Sequence, residues 1–380
     1  MVERRGESEK DYTARVRLIT NQIRGGGIVV CNNRARLPIL ALALSSGALF
    51  SGEVAQAHAP KPEKANLTLA IGGVSAQIYY LPVVLADRLG YFEEAGLKVN
   101  MINTGSGTKG LQAVVSGGAD MTAGSFEHVI QLQGRGQDIK AIVKFGLYYG
   151  NVLGVVSHRA KDYKSPADMK GWKIGVSATG ASSQFFVSLL LARYGVKPNE
   201  VSFIGVGQGP AGIAAVRTGQ NLDAIAVTDP TITELENSKD IFVVADSRNR
   251  NGTLEVYGGE TISGVLYTKE DFIKRHPNTV QAAATAIIRA LEWIKKASID
   301  DVMAKVPQEF WAGRPELYKV MLEKSISSFE NDGRISPKAT EVTLDFLRKI
   351  DPALREVNLD LAKTYEGSFV EKARAALDLK

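Results

Sequence analysis

From Leu67 the apolar positions alternate to Ile71 and stop at Gly72-Gly73, the period-two pattern of a strand entering a tight loop. The period then changes. Leu81, Val84, Leu85 and Leu89 recur at i, i+3, i+4 and i+8, which is one apolar face of a helix. Pro82 suits the first turn, where a missing N–H costs little, and Gly90 supplies a C-cap. Leu97, Val99 and Met101 then alternate with Lys98 and Asn100 as a second strand. Residues 67–104 therefore read as strand, helix, strand.

The alternation repeats. A loop at 104–108 leads to a helix over 109–116, a short strand over 117–122, a helix over 126–134 and a strand over 139–145. A second series starts near Val152. It has a short helix at 165–171, a strand at 173–176, a small-residue loop at 177–183 and a helix over 184–194. A strand at 201–206, a helix at 210–218 and a strand at 222–227 follow. Asp229-Pro230 opens a further helix, aspartate as N-cap and proline at N1, and 241–245 is a strand. Residues 264–268 return the chain to the first series, and from Lys269 the pattern is mainly helical. Asn278 and Gln281 resemble a capping box ahead of a long helix to Lys296. Two such series predict an α/β fold with two lobes, parallel or mixed sheets and helices on both faces. The expected parts are 60–151, 152–262 and 263–380, the last returning to the first lobe. Ligands of open α/β sheets sit beyond the carboxyl ends of the strands, where this chain is rich in Gly, Ser and Thr.

The segment ahead of this pattern is different. Arg34 and Arg36 flank fourteen apolar and small residues, 37–50, followed by Ala55-Gln56-Ala57 and Ala57-His58-Ala59. Basic flank, short apolar core and small-residue exit make a secretory signal peptide. The core is shorter than the roughly 20 residues a spanning helix needs. The expectation is export to the periplasm, with 1–59 removed by cleavage near Ala57 or Ala59.

Removal changes the composition. The full 380-residue chain has net charge +5; the leader takes eight basic and five acidic residues with it, leaving +2. No lysine-rich block or basic-aromatic stripe supports nucleic-acid binding. The one cysteine, Cys31, goes with the leader, and disulfides, thiol catalysis and cysteine metal sites go with it. His128, His158 and His276 form no H-x-x-H or H-E-x-x-H pair, and there is no G-x-S-x-G elbow. No catalytic set, metal or cofactor is expected.

The strand-to-helix loops supply the candidate site. Ser106, Thr108 and Lys109 lie in the first series, and Thr179, Gly180, Ala181, Ser182 and Ser183 in the second. Free N–H groups and hydroxyls at a helix start suit a carboxylate or sulfonate, and ordinary capping produces the same pattern. Lys109 either pairs with an anion or is solvated on the helix face. Ser125, Phe126 and Glu127 occupy the next loop. There Phe126 either stacks on a flat ligand or packs in the core, and Glu127 either accepts from a ligand donor or answers the helix dipole. Asp229 is a cap or a ligand group, and Gln77, Tyr79, Tyr80, Tyr148 and Tyr149 border the predicted cleft.

Five segments, in this order and spacing, resemble one family. They are Leu81-Pro82 through Gly90-Tyr-Phe-Glu-Glu-Ala-Gly-Leu-Lys-Val99; Gly105-Ser-Gly with Leu111 to Asp120; Ser165-Pro-Ala-Asp-Met-Lys-Gly-Trp-Lys-Ile-Gly-Val176; Ala214 to Ala224; and Asp229-Pro230. The chain resembles the solute-binding proteins of ABC importers in the nitrate, taurine, alkanesulfonate and thiamine-precursor group. The resemblance implies a type II periplasmic-binding-protein-like fold, two α/β lobes with a hinge and a central ligand cleft. It also implies a monomer that passes a small molecule to a membrane permease and its ATPase, without breaking a bond. The Ser/Thr-rich helix starts and Lys109 favour a small organic anion: a sulfonate, a taurine-like molecule or an aromatic carboxylate. Glu127 and Asp229 favour a ligand with donors, such as a thiamine-precursor pyrimidine. Pyrimidine-precursor synthases share the scaffold, so a related enzyme is the rival reading.

Overall fold

The computed structural model describes residues 60–380 except 73–77, 219–220, 312 and 330. The expected export signal and Gln77 lie outside the described residues. Among the described residues no helix is long and apolar enough to cross a membrane.

Two five-stranded sheets organise the chain. The first contains β1 (Asn66–Ile71), β2 (Lys98–Asn103), β3 (Met121–Ser125), β4 (Ile139–Lys144) and β10 (Gly264–Lys269), in the order β2-β1-β3-β10-β4. The second contains β5 (Val152–Val156), β6 (Lys173–Val176), β7 (Ser202–Gly205), β8 (Ala224–Val227) and β9 (Ile241–Asp246), in the order β7-β6-β8-β5-β9. Both sheets are mixed. β1 is parallel to β2 and β3, while β10 is antiparallel to β3 and β4. β6 is parallel to β7 and β8, while β5 is antiparallel to β8 and β9. In each sheet the antiparallel strand is the one that has just crossed from the other sheet. Strands β3, β5 and β8 are buried along their whole length, which explains their uninterrupted small and β-branched residues. Edge strands β2 and β7 are half exposed.

The observed elements follow the predicted ones with informative exceptions. The helix after β6 spans Ser182–Arg193, so Ser182 and Ser183 form its first turn instead of a loop. The strand expected at 117–122 runs Met121–Ser125, because Gly117 takes a left-handed conformation that ends the preceding helix. The 165–171 helix is a 3-10 turn, Pro166–Met169, capped by Ser165 and Asp168. Asp229 caps from one residue further out than expected: Pro230 occupies the N-cap position of the helix Thr231–Asn237, and Asp229 Oδ1 accepts from the Thr233 N–H at 3.1 Å.

The capping box at Asn278 and Gln281 is not formed. The long helix starts at Pro277, which puts Asn278 inside its first turn. The Glu63 carboxylate instead accepts from the amides of Asn278 (3.1 Å) and Thr279 (3.0 Å), a cap delivered from the other end of the described chain. A helix over Arg250–Tyr257 has no sequence counterpart above, because Gly252 and Thr253 obscure it. Asn249 caps it, accepting from the Gly252 N–H at 3.1 Å. A Cβ at Gly252 would overlap the Asp246 carbonyl, so only glycine fits there.

The chain passes between the sheets twice, from β4 to β5 and from β9 to β10. The passages are tied where Tyr149 donates to the Ile262 carbonyl at 3.0 Å. The Tyr149 ring stacks on Tyr257 (centroids 4.8 Å), and Phe346 meets Tyr257 edge-on at 5.2 Å. Phe346 belongs to the helix Pro337–Ile350, which packs on the helix Phe126–Gln133 of the first lobe and on Ser182–Arg193 of the second. One apolar core is thereby continuous from Phe126 and Ile130 through Tyr149, Tyr257 and Phe346 to Leu153 and Phe186. Truncating a buried phenylalanine costs about 3–5 kcal/mol. Phe346→Ala is therefore expected to lower unfolding stability by about that amount in a urea titration, with the secondary structure of the folded protein retained.

Candidate functional site

A cleft lies between the lobes, with Tyr148, Tyr149 and Gly150 of the first passage at its base. Ile78 and Tyr79 border it from the first lobe, Asp229 and Arg248 from the second, and Ser328 and Phe329 from the C-terminal part. The space left open is about 30 Å³. A water needs roughly 10–15 Å³ by this measure, so the space these residues enclose holds two or three waters. The lobes are also bridged. Arg314, which precedes the helix Pro315–Ser325, pairs with Glu234 of the second lobe at 2.7 Å.

The first-lobe wall is phenolic with a carboxyl behind it. Ser125 precedes the helix Phe126–Gln133, and its hydroxyl lies 3.2 Å from the Tyr79 hydroxyl. Glu127, in the first turn, is only 1% exposed and its Oε2 has no hydrogen-bond partner among the described residues. Burial pushes its pKa up to about 8; its own backbone N–H and the Tyr149 and Ser125 hydroxyls oppose that incompletely. At neutral pH this carboxyl is mostly protonated, so it both donates and accepts. His128, beside it, is held neutral by burial, its pKa lowered to about 4, and its Nδ1 lies 3.3 Å from the Tyr267 hydroxyl.

The second-lobe wall carries charge that is already spent. Arg248 bonds Asp229 Oδ2 at 3.1 Å and Thr233 Oγ1 at 3.1 Å, and grips Asp246 through Nε and Nη2. Burial works against the Arg248 charge, but the Asp246 and Asp229 carboxylates more than offset it and raise its pKa. Asp229 also accepts from the Thr233 hydroxyl at 2.6 Å. One guanidinium therefore serves two carboxylates.

The residues singled out by sequence reasoning fall into three groups. Tyr149 and Asp229 line the cleft, with Ser125 and Glu127 directly behind its tyrosines. Phe126 and Tyr80 are core residues; Phe126 is fully buried among Val129, Ile130 and Ile139, not poised to stack on a ligand. The third group does not border the space around Tyr148, Tyr149, Asp229 and Arg248. Ser106 caps its helix, accepting from the Lys109 N–H at 3.3 Å, and the Lys109 side chain is exposed. Thr108 Oγ1 is buried without a partner among the described residues. Thr179 and Gly180 are exposed, Ala181 precedes the helix, and Ser183 bonds Ser177 at 2.9 Å. Ser182, in the same turn, is half-buried. Sequence reasoning missed Arg248, which sits in Asp246-Ser-Arg-Asn-Arg250 and reads as a polar loop. Its one signal was position, directly after a strand's carboxyl end.

Two α/β lobes, crossed twice by the chain around a cleft, define a type II periplasmic-binding-protein-like fold. The family model described as NMT1/THI5 like matches residues 77–297, and the chain belongs to this family. A solved protein from Bordetella bronchiseptica RB50 is 38% identical, with a TM-score of 0.79 over 84% of this chain and 100% of its own. The alkanesulfonate-binding protein SsuA of Xanthomonas axonopodis pv. citri, solved with MOPS bound, shares the fold at 18% identity and a TM-score of 0.61, over 80% of this chain and 99% of its own. The 4-amino-5-hydroxymethyl-2-methylpyrimidine phosphate synthase of Schizosaccharomyces pombe is 23% identical over 67% of this chain and 72% of its own. A binding protein and a synthase are thus both among the proteins this chain is similar to. Among the described residues no cluster of His, Cys, Asp or Glu is arranged to hold a metal.

An acid whose pKa is raised in the folded state is stabilising as its neutral form, and that advantage is lost as pH rises. For Glu127 the loss runs from about 4.5 to about 8. Melting temperatures measured across this window are expected to fall more steeply for the unmodified protein than for Glu127→Gln, with the two curves parallel above it.

Proposed function

We propose that the protein is the substrate-binding component of an ABC importer. It works in the periplasm, closes its lobes on a small molecule and delivers it to a membrane permease driven by an ATPase. Family membership and the two-lobed fold support this. Closure stores the specificity: the closed form makes contacts to the ligand from both walls, which the open form cannot.

One observation supports a ligand class within this reading, the buried neutral carboxyl of Glu127 with an open oxygen behind a wall of tyrosines. The open Oε2 donates to a ring nitrogen when it carries the proton, or accepts from an amino group when it does not. Tyr79, Tyr148, Tyr149 and Phe329 offer aromatic faces for a flat ring. The geometry therefore favours an aminopyrimidine over the organic anion that the helix starts suggested. An anion would have to draw Arg248 away from two carboxylates.

Calorimetric titration with 4-amino-5-hydroxymethyl-2-methylpyrimidine, taurine and an alkanesulfonate tests this. Saturable 1:1 binding of the pyrimidine without conversion is expected, with Glu127→Leu weakening it about 10- to 100-fold, the worth of one strong hydrogen bond. Binding of the sulfonates alone overturns the ligand class. Turnover of the bound compound overturns the transport role.

A further inference from the structure

A second concavity, of about 120 Å³, sits at the hinge, and Tyr148 lines both it and the cleft. By the measure of roughly 10–15 Å³ per water it holds a small ion with several waters. Its walls come from four parts of the chain: Lys144 at the end of β4, Arg250 at the start of the helix Arg250–Tyr257, Glu260 and Thr261 in the second passage, and Ser336 at the start of the helix Pro337–Ile350.

Lys144 is the unusual member. It is 9% exposed, and its ammonium makes no hydrogen bond or ion pair among the described residues. Burial lowers its pKa, and Asp332 and Glu260 counter this only through longer-range attraction. Both acids have other partners. Asp332 pairs with Arg334 at 3.0 Å, and Glu260, an exposed member of the same lining, with Arg250 at 3.5 Å, so an anion held by Arg250 takes the place of Glu260 there. A largely buried cation without a close counter-ion is destabilising. Two further donors face the same space. The Arg250 side chain is 61% exposed and holds only Glu260. The Ser336 hydroxyl accepts from the Ala339 N–H at 3.5 Å, which leaves its own proton to donate. It also marks the N-terminus of a fourteen-residue helix, whose dipole favours negative charge.

We propose that this pocket is a binding site for a small oxyanion, of the phosphate or sulfate kind, held by Lys144, Arg250 and Ser336. The anion joins β4 of the first lobe to the helix Arg250–Tyr257 of the second and to the helix that braces both. Binding there shifts the balance between lobe arrangements by whatever difference in affinity it has for them, and cleft ligands must feel the reciprocal effect. The proposal does not depend on which molecule the cleft takes.

Melting of the purified protein in inorganic phosphate, sulfate or chloride at matched ionic strength tests it. A saturable rise with phosphate or sulfate at low millimolar concentration, absent with chloride, is expected; general salting effects do not saturate there. Lys144→Gln and Arg250→Gln are each expected to weaken the anion's apparent affinity about tenfold or more. In chloride Lys144→Gln is expected to melt at or above the unmodified protein, since it removes an unpaired buried charge, and phosphate should narrow that gap. Arg250 lies on the surface, so its variant keeps the test valid if the Lys144 variant fails to fold. A response that does not saturate, or one equal in both variants and the unmodified protein, overturns the proposal and leaves an adventitious ion only.

Discussion

The hydrogen bond from Tyr149 to Ile262, with the stacked pair Tyr149–Tyr257 around it, holds together the two places where the chain crosses between its sheets. Both crossings must bend at nearly the same point if the lobes are to move as rigid bodies. Phe346 and its helix close this seam on the side away from the cleft, so the pivot is a packed core and not a pair of free linkers. The cleft base and the hinge pocket meet at Tyr148, one residue from the tie. A change at the seam is therefore felt on both sides.

The cleft is rich in polar groups and poor in available charge. Arg248 is neutralised by Asp229 and Asp246, while Glu127 is neutralised by its own proton. A site with these two features discriminates by hydrogen-bond pattern and ring shape more than by net charge. Rejection is strong in such a site when a ligand leaves a buried polar atom unmatched. This is the physical difference between a pocket for a flat heterocycle and one for a sulfonate.

Most of the scaffold was legible in the sequence because it is written in short-range patterns. Period-two runs gave β1 and β2, Gly90 marked a helix end, and Pro82 marked a helix start. What escaped was carried by distant partners. The cap of the helix Pro277–Ile294 comes from Glu63, and nothing near Asn278 announces it. Arg248 looks like one polar residue among five until Asp229 is brought beside it. Glu127 was legible as a candidate but not its protonation, which depends on burial by Tyr79 and Tyr149. Phe126 was open to two readings, and the core packing of its helix decides between them.

The order of strands in the first sheet has a consequence for how the protein is made. β10 lies between β3 and β4, and β4 has no other strand beside it. Yet β10 is synthesised only after all five strands of the second sheet. Until then the first sheet lacks its fourth strand, and β3 and β4 present open edges of the kind that pair wrongly or wait on a chaperone. The first lobe is thus the first to begin and the last to finish.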